Sequence, residues 1–313
     1  MIEVADDDFY LPDECWELVF KFLIKYDYEE NNHNHCFKSL SLVSKQFLSI
    51  TNRLRYSLII KSLTGPYLPS LFRRFPNLTS LSISSEYLDN LLCQISTFSL
   101  NVTWLHLRNV FPFPTNGLRA FSQNITPLTS LICSHAWLLN TADMFLIADC
   151  FPNLKLLDLN RCLDLCEVGT NYVLRRCCNI EYLSLAYCMG LKISEINFEL
   201  PKLKMLNLTY TKVDDEILYV ISKGCHGLLK LLLSNCYYIT ENGVKHVAEN
   251  CTKLGEINLS SCDRVHGNIV RSMISIRPSL KKITAPPSFP FSKKNGRPIL
   301  YHGCIIVTPH RRV

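Results

Sequence analysis

Residues 228–251 read LLKLLLSNCYYITENGVKHVAENC. Leu228, Leu231 and Leu233 set an L-x-x-L-x-L spacing. Leu231 and Leu233 stand two apart, so on a strand both point to the same face. Cys236 follows three residues later, where a small buried side chain can end the strand and turn the chain. Thr240 is placed to cap a helix. Val244, Val247, Ala248 and Cys251 then recur at i, i+3, i+4 and i+7. The pattern predicts a short strand, a turn and an amphipathic helix. Such a unit cannot cover its own apolar faces and needs copies of itself on either side.

The copies are present. The same spacing starts at Leu78, Val102, Leu128, Leu154, Ile180, Leu203, Leu228, Leu254 and Leu280, with gaps of 24, 26, 26, 26, 23, 25, 26 and 26 residues. The inward pairs run from Leu81/Ile83 to a degenerate Ile283/Ala285. Period and pattern resemble a leucine-rich repeat. That resemblance implies a right-handed α/β solenoid with parallel strands on a concave face and helices on a convex one. Residues 54–60 predict an irregular first strand capping the N-terminal end. PFPTNG at 112–117 predicts a turn, with loop or a short helical turn on the convex side there. Asp214, Asp215 and Glu216 belong to a helical first turn, and Lys223-Gly224 predicts a closing αL glycine. After Ala285 the pattern stops. PPSFP breaks helix and strand alike, KKNGRP is a turn, and ILYHGCIIV suits a last strand or hairpin over the C-terminal edge. Lys293, Lys294 and Arg297 read as a solvated basic turn, and the chain ends in basic HRRV.

Residues 9–52 do not follow the repeat. Leu11-Pro12-Asp13-Glu14 starts a helix, with Pro in the first turn and acids near the positive end of the dipole. Trp16, Val19, Phe20 and Leu23 form an apolar stripe. Asp27–His35 is polar and predicts an exposed loop. Leu40, Leu42, Val43, Phe47 and Ile50 form a second helical cluster. So short a segment cannot cover this much apolar surface by itself. LPDECWELVFKFL followed by SLSLVSKQFLSI resembles an F-box, through Leu11, Pro12, Glu14, Val19, Phe20, Phe22 and Leu23, then Leu40, Leu42, Val43, Ser44, Lys45 and Phe47. The resemblance implies docking of this apolar face onto the Skp-type adaptor of a cullin–RING ubiquitin ligase. Two departures are plain: the polar loop is longer than usual, and Phe47 stands where Trp is common. The chain thus divides into a helical module at 9–52, a solenoid of about nine repeats at 53–285, and a capping segment with a basic tail at 286–313.

Composition refines this picture. No apolar run approaches the roughly 20 residues that cross a bilayer, and acidic MIEVADDDFY has no apolar h-region, so neither leader nor membrane is expected. The fifteen cysteines therefore read as reduced side chains of the cytosol or nucleus. Cys162, Cys188, Cys236 and Cys262 fall at the strand end, and Cys177, Cys225 and Cys251 at the helix end. That placement resembles the cysteine-containing repeats often attached to F-boxes. Cys162/Cys166 and Cys177/Cys178 fit the repeat better than a metal site, so no metal is expected. The net charge of +6 is not gathered on one element and does not argue for nucleic acid.

Residues between the inward leucines should face outward along the concave side, the usual ligand face of a curved solenoid. They are Trp104, His106 and Arg108; Asp158, Asn160 and Arg161; Tyr182, Tyr187, Asn207 and Tyr210; and Lys230, Asn235, Glu256 and Asn258. Catalysis finds no support. His106, His135 and His226 fall at unrelated repeat positions without a nucleophile and orienting acid, phosphate-binding glycine loops are absent, and no cofactor is expected. The resemblance implies a substrate-recognition subunit of an SCF-type ligase: a protein substrate on the concave face, the adaptor on the F-box, and degradation as the outcome. The alternative is a scaffold or ligand-sensing repeat protein without ligase attachment.

Overall fold

A computed structural model describes residues 11–29, 35–125, 127–290 and 298–307. The acidic N-terminus, most of the polar loop (30–34), the basic 293–297 turn and the HRRV end lie outside these residues. Three helices come first, α1 (Asp13–Glu29), α2 (His35–Ser41) and α3 (Lys45–Arg53). The expected loop at 27–35 is shorter at both ends, because α1 runs to Glu29 and α2 starts at His35.

The solenoid follows at once. Its strands are β1 (Ser57–Lys61), β2 (Ser80–Ser84), β3 (Trp104–Arg108), β4 (Ser130–Ile132), β5 (Leu156–Asp158) and β6 (Tyr182–Ser184). They continue with β7 (Met205–Asn207), β8 (Lys230–Leu232), β9 (Glu256–Asn258), β10 (Lys282–Thr284), β11 (Ile299–Tyr301) and β12 (Cys304–Val307). All lie in one sheet, in sequence order until β10, which pairs with β12 before β11. Pairing is parallel from β1 through β10 and on to β12, and antiparallel only in the β11–β12 hairpin. Residues 54–60 thus do not form an irregular cap: Leu54 ends α3, and β1 is a full five-residue strand in register with β2.

Register puts the leucines in one row: Leu81 opposite Leu105, Leu105 opposite Leu131, and so on through Leu206, Leu231, Ile257 and Ile283 to Ile306. Leu81, Leu105, Leu206 and Leu231 are fully buried. Each such side chain is worth about 1.5–3 kcal/mol in transfer from water. The convex side carries α4 (Leu68–Arg74), α5 (Leu88–Ser96), α6 (Thr115–Asn124), α7 (Thr141–Cys150), α8 (Glu167–Arg176), α9 (Asp215–Gly224), α10 (Glu241–Asn250) and α11 (Ile269–Ile276). The short 23-residue repeat has only the 3-10 turn Ile193–Glu195 in place of a helix.

Caps explain several helix starts. The Asp214 carboxylate accepts from Ile217 N at 3.0 Å, and Thr240 Oγ1 accepts from Asn242 N at 3.2 Å. Asp215 reaches across to the next repeat, where its carboxylate accepts from Thr240 N at 2.8 Å.

Two glycines have roles other than those their neighbourhoods suggest. PFPTNG does not stay a turn: a ten-residue helix, α6, begins at Thr115. A Cβ at Gly117 would stand 2.6 Å from the Asp89 carbonyl oxygen, and the Gly117 N–H donates to Asp89 Oδ1 at 2.7 Å. Gly117 lets α6 lie against α5. Gly224 is not an αL cap either. It remains helical, Cys225 is the C-cap with φ −114°, and a Cβ at 224 would collide with the Phe198 carbonyl oxygen.

Candidate protein-interaction surfaces

Helix α1 is apolar on two faces, and they differ in exposure. Trp16 and Phe20 turn inward against Phe47, with ring centroids 4.7 Å and 4.9 Å from it, above buried Ile50 and Leu54. On the other face Leu18, Val19, Phe22 and Leu23 are exposed, Phe22 by 65%. The turn between α2 and α3 adds Leu42 (78%) and Val43 (65%). Pro12, Glu14 and Lys45 are exposed beside them, and Leu11 is half-buried. Two residues expected on the docking face are not there. Phe20 is buried and Phe47 is half-buried, since three short helices need both rings for their own core.

The module is held rigidly. Asp13 accepts from Gln46 at 2.9 Å and pairs with Arg53 at 2.7 Å, and Arg53 also reaches Glu17 at 3.0 Å. The bonds from Gln46 and Arg53 hold the Asp13 carboxyl below its ordinary range. Arg55 lies over the rings of Phe37 from the module and Phe75 from the solenoid, at 5.1 and 5.2 Å. Asn77 donates to the Arg53 carbonyl and Arg74 to Asn52, so orientation is fixed at the first strand.

On the concave side the expected residues fall into three groups. Trp104, His106 and Arg108 share β3, with Trp104 and Arg108 exposed and His106 between them. Burial, aided by the charge of Arg108, lowers the His106 pKa. Asp158, Asn207 and Asn258 occupy one row on alternate strands, β5, β7 and β9, but each commits an oxygen to its own chain. They accept from the N–H two residues on, at Asn160 (2.9 Å), Thr209 (3.1 Å) and Ser260 (2.9 Å). Burial raises the Asp158 pKa. Lys230 and Glu256 pair with each other at 3.0 Å, and Glu256 also takes Lys282 at 3.1 Å. Lys204 pairs with Glu181 at 2.6 Å, next to exposed Tyr182.

Asn160, Arg161, Tyr187, Tyr210 and Asn235 are not on the strands. They lie just beyond the strand ends, on the edge of the sheet. Arg161, Tyr187, Tyr210 and Asn235 have left-handed backbone, with φ of 60°, 59°, 56° and 59°, as do Asn109, His135 and Ser261 at the equivalent position. Five N–H groups of this column reach the next repeat: His135 to the Asn160 carbonyl, Arg161 to Ala186, Tyr187 to Thr209, Tyr210 to Ser234 and Asn235 to Ser260, all at 2.8–2.9 Å. Their side chains therefore follow one another at strand spacing, about 4.8 Å. Arg161 lies 5.1 Å over Tyr187, Tyr187 stacks on Tyr210 at 5.2 Å, and Tyr210 meets Tyr237 edge-on at 6.1 Å. His135 lies in this column, while His106 lies on β3 and His226 follows α9, so the three histidines stand at unrelated repeat positions as expected.

Two residues further along, past the strand-end residue, stand Phe111, Trp137, Leu163, Met189 and Tyr237, all substantially exposed. Sequence reasoning missed this ridge. The readable signal was the residue after the strand-end cysteine, large and apolar at Leu163, Met189 and Tyr237 but Asp at 263.

The cysteines hold the stack together. Cys162, Cys188, Cys236 and Cys262 donate their S–H to carbonyls of the preceding repeat, at Cys133, Leu159, Leu208 and Leu233, over 3.0–3.2 Å. Burial pushes the thiols of Cys188 and Cys262 up to about 12 and that of Cys236 to about 11, so they stay protonated. Among the described residues the cysteines are free, no group of three or more His, Cys, Asp or Glu gathers for a metal, and no helix is long and apolar enough to cross a membrane.

No family model matches the sequence. Among solved structures the chain is similar to one from the crystal structure of the Rad7 and Elc1 complex in yeast, with TM-score 0.59 and 16% identity over 94% of this chain and 92% of that one. A chain of the TLR13–ssRNA13 complex is more distant, at TM-score 0.40 and 14% identity over 75% of this chain and 30% of that one. At such identities the yeast likeness speaks to fold alone, and with the register above it makes this chain an α/β leucine-rich-repeat solenoid.

Proposed function

We propose that the chain is a substrate-recognition adaptor: its helical module, read as an F-box, docks on the Skp-type adaptor of a cullin–RING ubiquitin ligase, and its solenoid holds the protein to be ubiquitinated. One observation carries the reading. Leu18, Val19, Phe22, Leu23, Leu42 and Val43 are exposed together on a module whose own core is already filled. An apolar patch of this kind on a folded surface marks an interaction site. A solenoid of this shape is also found in a two-protein crystal, that of yeast Rad7 and Elc1.

The chain itself performs no bond chemistry in this reading. It raises the effective concentration of substrate lysines near the charged ubiquitin carrier. The Arg55 sandwich and the Asn77–Arg53 bond serve that end, because they keep the two binding sites at a constant angle.

Co-expression with a Skp-type adaptor tests the reading. The wild-type chain should co-elute with it, and the Phe22→Asp/Leu42→Asp variant should elute alone with its solenoid melting unchanged. A wild-type chain that never captures the adaptor defeats the ligase reading and leaves the unattached scaffold.

A further inference from the structure

The left-handed column is where local backbone preference and residue choice disagree. A residue with φ near +60° is cheap for Gly and tolerable for Asn or His, and costly for other side chains by about 1 kcal/mol or more. Asn109, His135 and Asn235 obey that preference. Arg161, Tyr187, Tyr210 and Ser261 do not, and the first three, in successive repeats, are the residues whose planar groups stack. The repeat imposes the left-handed turn at all seven positions, and Asn109 and Asn235 show that Asn can fill it. Large side chains where Asn would serve, side by side in three repeats, point to a function for the groups they carry.

The charge balance of the surface says what kind. In the C-terminal half the concave cations are already neutralised, Lys204 by Glu181, and Lys230 and Lys282 by Glu256. In the N-terminal half Arg108 and Arg161 form no ion pair among the described residues. Asp164, three positions beyond Arg161, does not pair with it, and Asp158 holds the Asn160 N–H on the concave side. Arg161 lies over the Tyr187 ring, and in the position two residues beyond the left-handed column Trp137 and Met189 are exposed by 60% and 42%. Arg, aromatic and Met side chains together are the mixture that protein interfaces select. A nucleic-acid track would instead need cations in every repeat.

We propose that the ridge formed by Arg161, Tyr187 and Tyr210, with Trp137 and Met189 two residues beyond the same column and Arg108 at the adjoining end of β3, is the docking surface for an extended acidic protein segment carrying an aromatic or aliphatic anchor. The segment runs across the strands, from repeat to repeat. Arg108 and Arg161 are two repeats apart, roughly 10 Å at about 4.8 Å per strand. An extended chain covers that distance in about three residues. The segment therefore presents two acids about three positions apart to the arginines, and its apolar anchor to the tyrosine stack. This deepens the solenoid half of the adaptor reading and rests on it for a protein ligand, but does not need ligase attachment.

A phage-displayed library of random peptides about twelve residues long, enough to cross the ridge fully extended, is selected on the full-length chain. The best peptide is then synthesised and measured by fluorescence anisotropy, with adaptor capture followed on every variant. The selected peptides should be rich in Asp and Glu at the stated spacing, with one apolar anchor. Arg108→Glu/Arg161→Glu should weaken the best peptide by at least about tenfold, the size of a hot-spot loss. Replacing the peptide's acids with Lys should restore binding to that variant. Arg108→Gln/Arg161→Gln gives the same direction with less change to the surface. Selected peptides that are neutral or basic, affinity indifferent to either pair, or displacement by a single-stranded oligonucleotide at lower concentration than the free peptide would each overturn the proposal. Adaptor capture should persist in every ridge variant, so losing the peptide leaves the ligase reading standing, and losing only the adaptor leaves the ridge standing.

Discussion

Leu206 and Phe22 are both large apolar residues on regular elements, yet Leu206 is fully buried and Phe22 is 65% exposed. The difference lies in the neighbours. Leu206 stands between Leu183 and Leu231 in adjacent parallel strands, and helices close the row from the other side. Each strand of the solenoid is flanked by the next, so an apolar residue in the inward rows of the strands is buried. The helical module is not built of repeats. Its three helices enclose Trp16, Phe20, Phe47 and Ile50, while Leu18, Val19 and Phe22 on α1 stay exposed. In the strand rows apolar character reports the core. In the module it marks both core and exposed surface, and only packing tells them apart.

Substitution should expose that contrast most clearly. Leu206→Ala should cost about 2–5 kcal/mol of solenoid stability, the range for a leucine deleted from a close-packed core. Phe22→Ala should change the melting of the free chain by no more than about 0.5 kcal/mol, while adaptor capture falls. A large stability loss at Phe22 would mean that its ring is needed for folding. Chemical denaturation of the two variants side by side decides this.

Cys236→Ala tests the links between units. It removes a buried S–H bond to the Leu208 carbonyl and leaves a small void. A loss of about 1–2 kcal/mol is expected, the sum of a buried bond and a methyl-sized gap. If the thiol were only a spacer, the loss would match the volume alone, and Cys236→Val would restore it.

The module should respond to acid before the solenoid does. Hydrogen bonds from Gln46 and Arg53 lower the Asp13 pKa in the folded state. That contribution is complete at neutral pH, above the unfolded carboxylate value, and is lost as pH falls through the lowered folded value. Trp16 packs against Phe47 and reports on this core once Trp104 and Trp137 are replaced by Phe. Its emission should shift red in strong acid while the leucine rows remain folded, and Arg53→Gln should move that shift to higher pH. A shift concerted with solenoid unfolding would show that the two regions are one cooperative unit.

The smallest effect concerns the ridge. Tyr187→Asn/Tyr210→Asn removes a ring stack worth about 0.5–1.5 kcal/mol and relieves left-handed strain of similar size. Net stability should move by less than about 1 kcal/mol, so any loss of peptide binding would not be an unfolding artefact.

The legible part of the fold was the part set by neighbours of the same kind. The leucine register, the Thr240 cap and the C-terminal hairpin all follow from local pattern and are as expected. Gly117 and Gly224 were misleading, because a glycine that permits close approach of another chain segment looks, in one dimension, like a glycine that permits a turn. Phe20 was placed on the docking face because spacing alone cannot separate two apolar faces of one helix. The ridge at Arg161, Tyr187 and Tyr210 was assigned to the concave strands because no glycine marks the left-handed column. Of the concave residues, Lys230 and Glu256 pair with each other, a cross-strand contact that the outward pattern alone does not reveal.

Amide hydrogen exchange of the full chain with and without a Skp-type adaptor tests the central claim most directly. The account predicts new protection confined to α1 and the turn between α2 and α3, around Leu18–Leu23 and Leu42–Lys45, with the solenoid strands unchanged. Protection spread along the strands instead, with the helical module as open as before, would contradict it.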